Sequence, residues 1–160
     1  MVTEQWIKKL GGHAGELYVA AELSKRAITT ALLPENFSDD DIIIGKKGGE
    51  TIGFIQVKSC HSDRGRSFHL SKKNEKWANA KGNEFVVLVY LGSPTNNEIT
   101  RYWIAKKLEV GAFLKNYPYD SKERRIYLKN EKYPLVSLEL NEQLKKWENQ
   151  WKIFDEYLPR

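Results

Sequence analysis

Phe54-Ile55-Gln56-Val57-Lys58-Ser59 alternates apolar and polar side chains, the period-two pattern of a β-strand. One face would then carry Ile55 and Val57, and the other Gln56 and Lys58. An amide and an ammonium side by side on an otherwise apolar strand cost free energy unless they find partners. Two acids upstream are the candidates: Asp41, which opens the run Ile42-Ile43-Ile44, and Glu16, which lies in a helical pattern. Together these side chains would form a compact oxygen-rich site with one lysine beside it. That set can hold a divalent cation against a phosphate.

Outward from this stretch, the pattern predicts alternating helices and strands. Residues 4–26 read as a helix, with Glu16, Ala20, Leu23 and Ala27 on one stripe at i, i+4, i+7 and i+11. Gly11, Gly12 and Gly15 are poor helix residues, each costing about 1 kcal/mol against alanine. Either they permit close backbone approach, or the helix begins near His13 after a Gly-Gly loop; the sequence supports both. Residues 28–33 read as a strand stopped by Pro34. Residues 41–45 and 51–59 read as a hairpin around Lys46-Lys47-Gly48-Gly49-Glu50.

Residues 60–67 are polar and read as a loop. Ser71 reads as the N-cap of a helix through Lys81, with Glu75 in its first turn and Gly82 as its stop. Residues 84–91 are strongly apolar and make a central strand, 92–97 a loop, 99–105 a strand and 106–116 a short helix. Residues 117–134 are mixed, with a small hairpin that includes Arg125 to Leu128. Residues 140–157 read as one helix with Leu144, Trp147, Trp151, Phe154 and Leu158 on a single stripe.

At 160 residues the chain suits one domain. The expectation is a single α/β domain over 1–160, its core at about 4–116 and a helical extension at about 117–160. Hydrophobic residues make up 41% and charged residues 29%, ordinary values for a soluble globular protein. The longest apolar run, 85–91, is too short to cross a membrane. Cys60 stands alone, so no intrachain disulfide can form. With no basic-then-apolar leader pattern at the N-terminus, a cytoplasmic location is expected. The net charge of +5 is compatible with a polyanionic partner.

The order Gly15-Glu16, Asp41-Ile42-Ile43-Ile44 and Gln56-Val57-Lys58 resembles the PD-(D/E)XK, or restriction-endonuclease-like, nuclease superfamily. Gly-Glu-Leu-Tyr-Val-Ala-Ala-Glu-Leu followed by Ile-Gln-Val-Lys-Ser is most similar to small prokaryotic members: Holliday-junction resolvases, Mrr-like enzymes and some homing endonucleases. The likeness covers about residues 11–105. It implies a central mixed sheet of four to five strands flanked by helices, DNA as partner, Mg²⁺ with Mn²⁺ as a substitute, and a homodimer. Asp41 would be the principal metal carboxylate, Lys58 the catalytic lysine and Glu16 the helix acid of some members. Gln56 stands where Glu or Asp is commoner.

The chemistry also follows from the residues. Mg²⁺ takes one or two carboxylates with further oxygens, so Asp41 and Glu16 supply charge and Gln56 a neutral oxygen. Lys58 can position water or neutralise developing charge. The glutamine leaves one fewer negative charge at the ion. Within Asp39-Asp40-Asp41, Asp41 is favoured because it borders the isoleucine run; Asp39 has the same parity and Asp40 would face away. Taken alone, these aspartates would read as a solvated acidic turn and Lys58 as a snorkelling surface lysine; the conjunction of Glu16, Asp41, Gln56 and Lys58 favours the site.

Lys46, Lys47, Arg64, Arg66, Lys72, Lys73 and Lys76 could track a phosphate backbone, though charge runs are more often solvated faces. Trp77 reads as core rather than as a base-stacking platform. His13, His61 and His69 show no zinc spacing, and Cys60 has no partners for nucleophilic work. The expected activity is metal-dependent hydrolysis of DNA phosphodiester bonds. The alternatives are a nuclease-like domain that only binds nucleic acid, or a protein-interaction module of a defence or mobile-element system.

Overall fold

A computed structural model describes residues 4–61, 67–93, 95, 97–116, 123–127 and 142–159. Its centre is a five-stranded sheet in the order β1-β2-β3-β5-β6. The strands are β1 (Thr29–Leu32), β2 (Ile42–Gly45), β3 (Ile52–Cys60), β5 (Glu84–Tyr90) and β6 (Arg101–Lys106). β3 and β5 run parallel and every other neighbouring pair is antiparallel, so the sheet is mixed. Gly48 and Gly49 turn the β2–β3 hairpin at φ of 114° and 90°, values that glycine reaches without steric cost.

Helix α1 (Glu4–Lys25) covers one face of the sheet. Val19 and Leu23 pack there with Ile42, Ile44, Ile55 and Val57, and with Phe85, Val87 and Val89 of the central strand. Helix α2 (Lys107–Lys115) and a 3₁₀ helix, Lys72–Asn79, cover the other face, where Trp77, Val110 and Leu114 meet Val86, Leu88 and Trp103. Both faces of β5 are therefore buried, which is why its sequence is continuously apolar rather than alternating.

Glycine permits two close approaches. A Cβ on Gly15 would stand 1.8 Å from Ser59 Oγ of β3, and one on Gly111 would stand 2.0 Å from the backbone nitrogen of Ala78. The first draws α1 onto β3, and the second draws α2 onto the 3₁₀ helix. Helix α1 runs unbroken through Gly11, Gly12 and Gly15, so it does not start near His13, and the close-approach reading holds at Gly15 but not at Gly11 or Gly12.

Three elements differ from expectation. The helix foreseen after Ser71 is a 3₁₀ helix, and Asn74 satisfies its cap: Asn74 Oδ1 accepts the Ser71 N–H at 2.9 Å. Ser67–Ser71, read in part as loop, is a strand, β4, paired antiparallel with β7 (Glu123–Tyr127) in a separate two-stranded sheet. Among the described residues Arg125 pairs with His69 of β4. Most of 117–134 lies outside the described residues.

The third difference is the C-terminal helix, which is broken. Residues 142–147 are helical, Glu148 bridges to Trp103 on the outer edge of β6, and Asn149 turns the chain at φ 53°. Asparagine tolerates that left-handed conformation better than most residues. A 3₁₀ helix, Trp151–Tyr157, follows. The apolar spacing is real, but the stripe is divided between two faces. Leu144 and Trp147 pack in the α2-side core, whereas Trp151 and Phe154 pack in the α1-side core. Phe154 sits 4.9 Å from Phe85, ring to ring, and Arg26 at the end of α1 lies 4.3 Å over the Trp151 ring. The tail wraps the sheet edge like a strap.

Candidate active site

The site forms where one strand stops and its neighbour continues. β2 pairs with β3 only over Ile42–Gly45 against Ile52–Ile55, while β3 runs on to Cys60 beside β5. Beyond Ile55, the β2-facing edge of β3 has lost its partner strand. Asp41 takes over there: its N–H donates to the Ile55 carbonyl at 2.9 Å, and its Oδ2 accepts the Val57 N–H at 2.7 Å. Asp41 and Gln56 flank the last paired residues, Ile42 and Ile55. Gln56 and Lys58 alternate with buried Ile55 and Val57, so they share the other face of the strand, as expected.

Glu16 comes from α1. Gly15 presses the helix against Ser59 and Val57, and the next residue, Glu16, lies within the field of Asp41 at the start of β2. Its side chain keeps 28% of its surface in solvent and lies 4.0 Å from His13 Nδ1. Burial raises the Glu16 pKa, and the negative charge of Asp41 raises it further. Asp41 is itself raised, chiefly by burial. The Val57 hydrogen bond and the ammonium groups of Lys58 and Lys107 pull it back, while Asp40 adds to the rise. Glu16 and Asp41 are thus two carboxylates in one field, each held above its ordinary pKa.

The amide oxygen of Gln56 is buried and has no hydrogen-bond partner, and the same is true of Ser59 Oγ. Leaving such an acceptor unpaired costs about 1–3 kcal/mol. Among the described residues no three His, Cys, Asp or Glu side chains gather at a metal-binding distance. The candidate oxygens are the Asp41 and Glu16 carboxylates, coupled through their charges, and the Gln56 amide on the face of β3 away from α1. All three are hard ligands of the kind Mg²⁺ takes alongside water and phosphate, and the unpartnered Gln56 oxygen fits such a role.

The other aspartates are engaged elsewhere. Asp39 is exposed and lies 3.5 Å from Lys76. Asp40 turns to Lys107, whose Nζ donates to Oδ1 at 2.6 Å. Sequence reasoning missed Lys107, because a lysine at a strand–helix junction looks like any surface lysine. Lys46 and Lys47 sit in the hairpin turn, at the opposite end of β2 from Asp41, so the fold does not bring them to the site. Lys72 and Lys73 are exposed on the 3₁₀ helix. Arg64 and Arg66 lie outside the described residues. Cys60 is buried in the α2-side core, and Trp77 is core as foreseen.

No family model matches the sequence, and no curated protein does. Solved structures do match. A bacterial homing endonuclease, I-Ssp6803I, superposes with a TM-score of 0.53 over 96% of this chain and 92% of its own, at 11% identity. Hjc, a Holliday junction resolvase from the archaeal hyperthermophile Archaeoglobus fulgidus, covers 81% of this chain and 95% of its own, at 19% identity and a TM-score of 0.45. The chain has the restriction-endonuclease-like fold, with a five-stranded mixed sheet flanked by helices.

Proposed function

We propose that this chain is a Mg²⁺-dependent endonuclease that hydrolyses phosphodiester bonds in DNA. The observation that carries the reading is the buried, unpartnered oxygen of Gln56, on the same face of β3 as Lys58 and one residue before Val57, whose N–H the Asp41 carboxylate accepts. A fold shared with a homing endonuclease supports it.

Asp41, Glu16 and Gln56 would hold the ion, and Mn²⁺ would substitute. Mg²⁺ supplies Lewis-acid polarisation of the scissile phosphate. The Val57 N–H fixes one Asp41 oxygen and leaves the other for the ion. Lys58, two residues beyond Gln56, places its ammonium where charge develops on the phosphoryl oxygens or where a nucleophilic water must be oriented. Lys72 and Lys73 would contact the DNA backbone, and a homodimer would present two such sites to two strands.

Purified protein is expected to cleave supercoiled plasmid, single-stranded circles or a four-way junction when Mg²⁺ or Mn²⁺ is present. Asp41→Ala would abolish cleavage, and Lys58→Ala would slow it by about 10²–10³-fold, the usual cost of losing one transition-state charge partner. Wild-type protein that leaves every substrate intact with both metals overturns the reading.

A second reading has its own observation: the third ligand is an amide where an acid would bind more strongly, and no three-acid cluster exists among the described residues. On this reading the domain binds DNA without cutting it, and Gln56→Glu would confer cleavage on a protein that has none.

A further inference from the structure

Among the described residues, Lys107 is the only charged side chain buried in the core, at 3% exposure. It is the first residue of α2, placed just beyond the end of β6. Its ammonium lies 2.6 Å from Asp40 Oδ1, 3.8 Å from Glu84 Oε1 and 5.6 Å from the centre of the Trp77 ring. The strand register shows how these groups come together. Ile42 pairs with Ile55, Phe54 with Glu84, and Phe85 with Lys106, so one end of the sheet gathers the start of β2, the start of β5 and the end of β6.

Burying an ammonium and a carboxylate together is expensive, and a well-packed apolar residue of similar volume is often no worse for stability. Stability alone therefore explains this lysine poorly. Its location explains it better. Asp40 is the residue immediately before Asp41, in the bend that feeds β2; two hydrogen bonds hold Asp41 to β3, and its carbonyl accepts the Leu33 N–H at 2.9 Å. Asp40 has 14% of its side chain exposed, so this bend is anchored from inside the protein.

We propose that Lys107 is a positioning residue: by gripping Asp40 it fixes the entry to β2, and so keeps the Asp41 carboxylate on the Val57 N–H. Its importance for metal binding rests on the endonuclease reading; its control of Asp41 does not. Glu84 steadies the ammonium from the β5 side, and Trp77 closes over it.

Amide hydrogen exchange on the full chain tests this directly, because the Val57 N–H is the donor that Asp41 occupies. Lys107→Met and Asp40→Asn should each speed Val57 exchange by about tenfold or more relative to Val87 in the centre of β5. Lys107→Arg should stay near wild type. The Met/Asn double variant should exchange Val57 no faster than the worse single variant, since both changes break one link. In the same variants Mn²⁺ affinity should fall by about tenfold. Unchanged Val57 protection overturns the proposal, as does an equal loss at Val57 and Val87, which would be general loosening. If Lys107→Met does not fold, Asp40→Asn decides by the same criterion. Wild-type protein that fails to bind Mn²⁺ counts against the endonuclease reading, and the exchange result still decides the latch.

Discussion

The Asp41 carboxylate and the Val57 N–H meet at 2.7 Å just past the last pair of β2 with β3, where β3 runs on alone on that edge. A strand that outlives its neighbour exposes a row of unpaired donors and acceptors. Here the first exposed donor is covered by a side chain instead of a strand, which holds a carboxylate on the edge of β3 within the field of Lys58. The placement of the Asp41 carboxylate is thus a product of sheet register.

The pKa shifts predict how stability responds to pH and metal. Asp41 and Glu16 are both raised above their ordinary values of 3.8 and 4.5. The folded chain therefore holds these protons to higher pH than the unfolded chain does. Their contribution to stability is full below the ordinary carboxylate range and is lost as pH rises through the raised values. In EDTA at pH 7, Asp41→Asn should unfold at a higher denaturant concentration than wild type. Mg²⁺ should reverse the order, since at ten times its dissociation constant it adds about 1.4 kcal/mol to a protein that binds it. Urea titrations with and without Mg²⁺ check both signs.

Two glycines of the same helix should respond oppositely to alanine. At Gly12 an added Cβ meets nothing within 4 Å, so Gly12→Ala should stabilise by up to about 1 kcal/mol through helix propensity. At Gly15 the Cβ would stand 1.8 Å from Ser59 Oγ and 3.1 Å from Ser59 Cβ. Rotating the hydroxyl relieves only the first contact. Gly15→Ala should destabilise by about 1–2 kcal/mol, the overpacking cost less the propensity gain. Denaturation midpoints for the two variants give the answer.

Gln56→Glu should separate metal binding from folding. The new carboxylate joins two others that already resist ionisation, so the metal-free variant should be less stable than wild type near neutral pH. Its Mg²⁺ affinity should rise by about tenfold or more, because a third negative charge faces the ion. Calorimetric titration reads the affinity, and thermal melts in EDTA read the cost.

Much of this was legible in the sequence, for definite reasons. The alternation of Ile55, Gln56, Val57 and Lys58 gave the face of β3, because a strand has a fixed period and one side had to be buried. The isoleucine run placed Asp41 at a strand start, and Gly48-Gly49 placed the hairpin. What was not legible depends on partners distant in sequence. β4 is a strand because β7 lies beside it. The strap breaks at Asn149 because the edge of β6 offers Glu148 a bridge; the apolar spacing of 144, 147, 151 and 154 fits either one stripe or two faces. Lys107 and Asp40, 67 positions apart, meet only once the sheet is assembled.

The central claim is that Asp41, Glu16 and Gln56 form a cation site. A crystal soaked in Mn²⁺ and measured at the manganese absorption edge tests it most directly. The account predicts an anomalous peak about 2.1–2.2 Å from an Asp41 carboxylate oxygen and from Gln56 Oε1, with Glu16 facing it. A crystal with no peak there, or with manganese only on exposed carboxylates such as Asp39, would contradict it.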